Sequence, residues 1–166
     1  MTEVLPEEAT IRDVTVASAD NKVANVDAAT LVREADSNIS TMTVSGRSVG
    51  KTTVTVTTKQ GNLTDTCEVA VVEATPQADA GADEDGIYLE NLVPGATYSI
   101  SESTGTVESI SRTADGDGRI YIPKTLFKKT VLIVKTNEDA DLNSDAQSLE
   151  IGNIKLILKE SLLPVT

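Results

Sequence analysis

Gly50-Lys-Thr-Thr-Val-Thr-Val-Thr-Thr58 and Thr66-Cys-Glu-Val-Ala-Val-Val72 determine the fold of the first half of this chain. Both stretches alternate apolar and polar side chains, which is typical of a strand with one buried face. Branched Val and Thr side chains favour such pleated surfaces. Lys59-Gln-Gly-Asn62 lies between the two stretches and has the composition of a hairpin turn. The sequence therefore predicts a β-hairpin whose Val54 and Val56 point inward.

The segments before this hairpin follow an order that resembles a known family. A Pro-x-x-Ala-Thr step at residues 6–10 leads into a strand at 11–18, and Ser-Ala-Asp-Asn-Lys-Val-Ala-Asn-Val-Asp follows at 18–27. Together with the hairpin, this order resembles the group 2 bacterial Ig-like (Big_2) module over residues 4–73. The resemblance implies an Ig-like β-sandwich, and we expect the domain to span residues 1–74.

The beginning of this domain bears on function. Members of the family normally have further strands before the Pro-x-x-Ala-Thr step, whereas Met1 lies five residues before Pro6. We therefore expect the early strands to be missing and one sheet edge to be open. The unpaired backbone groups of such an edge need a cover. Three candidates for it are the segment Met1–Leu5, the C-terminal strand Ile154–Leu163, and a strand from a neighbouring chain.

The remaining segments predict a second domain. Residues 28–36 lack a clear strand pattern, so we expect a helical turn or a longer loop there. Residues 75–85 are small, polar and acidic, and they predict a linker. Residues 86–166 contain several short strand patterns, including the apolar run Thr130–Lys135, and predict a second β domain. The predicted fold class is all-β: an Ig-like β-sandwich followed by a second small β-sandwich-like domain.

The charge of the chain limits its partners. It contains 26 acidic and 14 basic residues, for a net charge of −12. Such a charge repels nucleic acid and anionic membrane surfaces, so we expect no nucleic-acid partner. No apolar stretch approaches the length of a membrane span, and we expect no membrane insertion. The first residues lack a basic segment followed by an apolar run, which predicts no export signal.

The residue types give little support to catalysis. The chain has no His, the commonest general acid–base, and its only thiol is Cys67. Cys67 lies in an alternating strand, where we expect it to be buried as a small hydrophobe without a disulfide partner. Residues 46–52 resemble a phosphate-binding loop but have three residues between the glycines instead of four, and a strand follows them. We predict no enzyme activity and no cofactor.

Two acidic loops in the second half carry carboxylates that could hold a cation. Asp115 and Asp117 lie in one loop, and Asp139 and Asp141 lie in the other. Calcium takes six to eight oxygen ligands, but the Glu that completes an EF-hand loop is missing from its required place. Two interpretations remain open, namely exposed turns and a calcium site formed where the loops converge.

These observations favour a non-enzymatic structural protein. Ig-like modules recur on phage particles, so the resemblance implies a capsid decoration or auxiliary protein, a head fibre or a tail protein on the virion surface of a tailed bacteriophage. We expect an oligomer or assembly component that contacts other virion proteins, such as capsid or fibre subunits, or a host-surface glycan or protein. The alternatives are a fragment of an adhesin on the bacterial cell surface and a carbohydrate-binding module. The candidate rings for sugar stacking are Tyr88, Tyr98 and Tyr121.

Overall fold

The computed structural model shows an all-β chain, which confirms the predicted fold class. It describes residues 2–3, 13–33, 39–83, 86–105, 108–122 and 130–151. Outside them lie several features predicted from the sequence: the step at 6–10, the start of the strand 11–18, the end of the segment 28–36, and the strand Ile154–Leu163. The chain divides into two compact units, Met1–Val72 and Glu73–Thr166.

The N-terminal unit contains two three-stranded antiparallel sheets. Its strands are β1 (Thr2–Glu3), β2 (Val14–Ser18), β3 (Ala24–Arg33), β4 (Ile39–Gly46), β5 (Gly50–Thr58) and β6 (Thr64–Val71). One sheet has the order β1-β4-β3 and the other β2-β5-β6. The predicted hairpin is β5–β6, and its register places Val54 opposite Cys67 and Val56 opposite Asp65. Gly61 and Asn62 take positive φ angles in its turn, as a tight hairpin connection requires.

The segment 28–36 differs from the predicted helical turn or loop. Residues 28–33 continue strand β3, and a bulge interrupts its pairing with β4 between Asp27 and Val32. The Thr30 hydroxyl donates to the Asp27 carbonyl at 2.7 Å and accepts from the Thr43 N–H at 2.8 Å. This side chain satisfies backbone groups that the bulge removes from the ladder, so the strand continues through an irregular sequence.

The C-terminal unit also contains two antiparallel sheets. Its strands are β7 (Asp79–Ala82), β8 (Ile87–Glu90), β9 (Thr97–Glu102), β10 (Ile110–Thr113), β11 (Ile120–Ile122), β12 (Thr130–Lys135) and β13 (Gln147–Glu150). A short 3₁₀ helix, Ala140–Leu142, lies between the last two strands. The sheet orders are β10-β9-β12-β13 and β11-β8-β7.

The predicted linker at residues 75–85 is wrong, because it contains strand β7. This strand pairs with β8, and Ala78 just before it is buried, with its N–H and C=O bonded to the side-chain amide of Gln147. A Cβ on Gly81 would come within 2.6 Å of the Tyr88 ring. The small residues that suggested a linker therefore allow close packing against β8.

The core of the C-terminal unit lies between its two sheets. Leu89, Ile100, Val131 and Ile133 are completely buried there, and they come from both sheets. Tyr98 belongs to the same core, and its hydroxyl accepts a hydrogen bond from the Val93 N–H at 2.9 Å. This unit thus closes a core from its own strands, and in its described residues every buried side-chain N or O atom has a hydrogen-bond partner.

A partly buried ion pair fixes the start of the C-terminal unit. The Lys135 Nζ donates to a Glu73 carboxylate oxygen at 2.8 Å, and the Asn137 amide donates to the other oxygen at 3.1 Å. These bonds, that from Lys135 most of all, lower the pKa of the Glu73 carboxyl below its usual value.

Replacing Glu73 by Gln should cost on the order of 1 kcal/mol of unfolding free energy at pH 7. A lowered folded-state pKa stabilises the fold above the unfolded pKa of about 4.3, and this stabilisation is lost as the pH falls through the folded value. Urea unfolding should therefore separate Glu73→Gln from wild type at pH 7 and separate the two less at an acid pH. All three tyrosines lie in this unit, so their fluorescence monitors it. The exposed Glu138→Gln is the control, and an equal loss at both pH values would contradict the assignment.

The turn before β11 provides a second prediction. Gly118 has a φ of +72°, and a Cβ there would lie 2.4 Å from the Leu92 carbonyl oxygen, whereas a Cβ on Gly116 would meet nothing within 4 Å. Gly118→Ala should lower the unfolding free energy by about 2–4 kcal/mol, since it combines backbone strain with a clash. Gly116→Ala in the same turn should change it little. Equal stabilities of the two variants in urea would show that the turn is not as described.

Candidate functional site

The N-terminal unit leaves much of its apolar interior uncovered. Among the described residues of this unit, the buried apolar side chains are those of Val14, Ala24 and Val54. Its exposed large apolar side chains are Val32, Val44, Val49, Leu63 and Val72. Of these five, Val44 lines the space between the two sheets. Water therefore reaches apolar surface there that a closed sandwich would bury, and covering it would release about 25 cal/mol per Å².

The uncovered interior forms a cavity of about 190 Å³ between the two sheets, which we term the inter-sheet cleft. Its apolar walls are Leu31, Met42 and Val44 from one sheet and Val54, Val56 and Val69 from the other. Ser40, Asp65, Thr66 and Cys67 complete the lining. The strands alternate, so every second side chain of β4, β5 and β6 points into this space. The arrangement suits an apolar partner segment better than a small polar substrate.

One side of the cleft is bounded by an incomplete sheet edge. Strand β1 pairs with β4 only at Ile39 and Ser40. The Thr43 N–H points toward β3, where it binds the Thr30 hydroxyl, so the backbone groups of Met42 and Val44 point the other way. No strand pairs with Thr41–Gly46 on that side within the described part of the chain. We term these six residues the open edge of β4.

Strand β1 covers part of the predicted open edge. Thr2 and Glu3 belong to the predicted segment Met1–Leu5, and they pair with one end of β4. The second candidate, Ile154–Leu163, lies outside the described residues. The third, a neighbouring chain, stays a prediction.

Cys67 differs from the expected buried residue. It faces the interior as the alternation predicts, since it lines the cleft, but it is exposed. Strand β6 lies at the edge of its sheet, and pairs only with β5 among the described strands. An inward direction leads to burial only where the opposite side is filled, and here it is open.

The three tyrosines do not form a common platform. Tyr98 is a core residue, and Tyr88 is largely buried under the Arg119 guanidinium, which lies 4.5 Å from the ring centre. The electrostatic interaction with Tyr88 is also the largest contribution that raises the pKa of the Arg119 guanidinium. Tyr121 packs against Tyr88 with ring centres 5.6 Å apart and remains 42% exposed. Its hydroxyl donates to Asp83 at 3.0 Å, so it is the one predicted stacking ring that offers substantial surface.

The candidate calcium ligands have local roles in their turns. Asp115 accepts backbone N–H bonds from Asp117 and Arg119, at 3.0 and 2.8 Å. Asp139 accepts the Asp141 N–H at 3.1 Å and caps the 3₁₀ helix. In the described residues no three acidic or Cys side chains gather as a metal ion would need. The turn interpretation accounts for the Asp115 and Asp139 contacts.

Comparison with known families agrees with this architecture. Residues 1–69 match the family model of the bacterial Ig-like domain (group 2). The match confirms the resemblance predicted from the sequence, and it places the inter-sheet cleft within the bacterial Ig-like domain. No curated protein matches the chain. Across the described residues, no helix is long and apolar enough to cross a membrane.

The exposure of Cys67 gives a direct test of the cleft. In the dilute monomer under native conditions, a thiol reagent such as DTNB should modify Cys67 at a rate close to that in strong urea, because the open cleft gives access to its sulfur. The measurement needs no variant, since the chain has one Cys. Strong protection in the dilute monomer that disappears only on unfolding would mean that the cleft of a single chain is closed.

Proposed function

We propose that this chain is a non-enzymatic structural protein that acts by contact and adhesion. The observation that supports this most is the inter-sheet cleft, where an Ig-like domain has exposed Val44 and half-buried Met42 and Val69 beside the open edge of β4. Such a surface gains free energy by covering apolar area and by pairing backbone groups. Neither contribution requires a reactive side chain, so the site needs no cofactor.

The location proposed for this activity is the virion surface of a tailed bacteriophage, as a capsid decoration, head-fibre or tail protein. The Ig-like family and the acidic chain, with a net charge of −12, support this setting. A repeated shell presents many equivalent sites, and avidity makes weak individual contacts effective. The proposed partners are other virion proteins and, at the outer surface, a host glycan or protein. The alternative is the same contact function on a bacterial cell surface.

A carbohydrate-binding role has one supporting observation, the exposed ring of Tyr121 beside Asp83. Sugar-binding platforms use exposed aromatic faces together with polar groups. Tyr121→Ala should abolish glycan-array binding if this role exists, and Tyr98→Phe, which removes only a buried hydroxyl, is the control. Protein contact remains the better-supported function because the cleft offers more apolar surface than one ring.

Fractionation of a lysate tests the proposed location. Mass spectrometry of particles purified on a density gradient should find peptides of this chain at the abundance of a structural protein. High salt should remove little of it, because apolar contacts are not screened. Recovery with the cell envelope would favour the bacterial-surface alternative. Recovery only with free cytosolic proteins, together with a substrate-dependent activity, would contradict both.

A further inference from the structure

We propose that the open edge of β4 and the inter-sheet cleft accept residues 152–163 of a second copy of this chain as an added strand. This inference rests on the proposed contact function and names its partner. The acceptor is the N-terminal unit of one copy, and the donor is the C-terminal segment of another. Each copy then has one acceptor and one donor.

The acceptor has backbone groups and an apolar surface in the same place. The backbone groups of Met42 and Val44 point away from β3 at the open edge, while their side chains line the cleft. Six residues, Thr41–Gly46, extend over about 20 Å at about 3.3 Å per residue. A strand added there continues the direction of β1 along the sheet. The added strand would then cover the side chain of Val44, which is 38% exposed in the single chain.

The donor has the matching pattern. Ile154-Lys-Leu-Ile-Leu-Lys159 places Ile154, Leu156 and Leu158 on one face of a strand, and Lys155, Ile157 and Lys159 on the other. The apolar face matches the lining of the cleft, and the lysines stay in water. Residues 152–163 contain no Pro, so each can donate a backbone N–H to the ladder.

Charge also favours this occupant. The donor segment carries Lys155, Lys159 and Glu160, so it is a cationic part of a chain whose net charge is −12. Asp65 lines the cleft and Glu68 lies on the same edge strand β6. A cationic strand approaching these carboxylates is attracted at moderate salt, whereas an acidic segment would be repelled.

The arrangement has a consequence for assembly. Because the donor and the acceptor are different surfaces, the contact is heterologous and joins copies head to tail. Each contact adds main-chain hydrogen bonds and buries apolar side chains. One unfilled acceptor and one unbound donor segment then remain at the two ends of every oligomer. The chain should therefore form a concentration-dependent series of oligomers rather than a single closed dimer.

Two complementary variants test this proposal. Leu156→Asn removes an apolar side chain of the donor, and Met42→Asn places an amide in the acceptor. Each full-length variant alone should sediment as a monomer, with association at least tenfold weaker than wild type. Their equimolar mixture should form a 1:1 complex, because the intact donor of Met42→Asn fills the intact acceptor of Leu156→Asn. Lys155→Asn, on the outer face of the donor, should assemble like wild type.

A peptide gives a test that does not depend on the folding of a variant. A synthetic peptide of residues 152–163 should bind the wild-type chain, shorten its oligomers and slow the modification of Cys67, whereas a scrambled peptide should do neither. Three results would overturn the proposal: a wild-type monomer that ignores the peptide, undiminished assembly of Leu156→Asn, and a monomer whose own residues 152–166 protect the β4 amides. If the chain is still found on particles, only this inference fails. Peptide binding by a chain absent from particles and envelope would instead reject the proposed function.

Discussion

The short pairing between β1 and β4 controls how far the N-terminal sandwich is closed. Two residues of β1 satisfy one end of β4, and beyond Ser40 the edge remains open among the described strands. Behind that edge lies the cleft, because the inward side chains of β4 and β6 have no strand between them there. A sheet with such an open edge has unpaired backbone groups and solvent-exposed apolar surface, and both favour association with another strand.

The two units illustrate opposite uses of the same β architecture. In the C-terminal unit, Leu89, Ile100 and Ile133 close a dry core, and Gly81 lets β7 approach the Tyr88 ring. Its tyrosines and acidic turns are occupied in packing, capping and turn bonds. In the N-terminal Ig-like domain the strands alternate equally well, but their apolar faces are only partly covered. Function is therefore better sought where the packing is incomplete than where acidic or aromatic residues are concentrated.

Local sequence patterns predict the strands well but not the coverage of their faces. Alternation predicts that Val54, Val56 and Cys67 point inward, and in the structure all three line the inter-sheet cleft. The exposure of Cys67 depends on what lies opposite β6, which no local pattern contains. The bulge in β3 escapes prediction because the Thr30 hydroxyl supplies bonds that belong to the ladder. Strand β7 escapes because small residues are typical of linkers and also of close strand packing. The cleft itself combines residues from four strands, and no pattern within a single strand shows that the facing side chains leave a space between them.

Amide hydrogen exchange, resolved by residue, measures the central claim most directly. In the dilute monomer, the amides of Met42 and Val44 should exchange orders of magnitude faster than those of Val131 and Ile133, because their side of β4 faces water. In the assembled state the same two amides should become slow. Equal and strong protection of all four amides in the dilute monomer would contradict an open N-terminal sandwich.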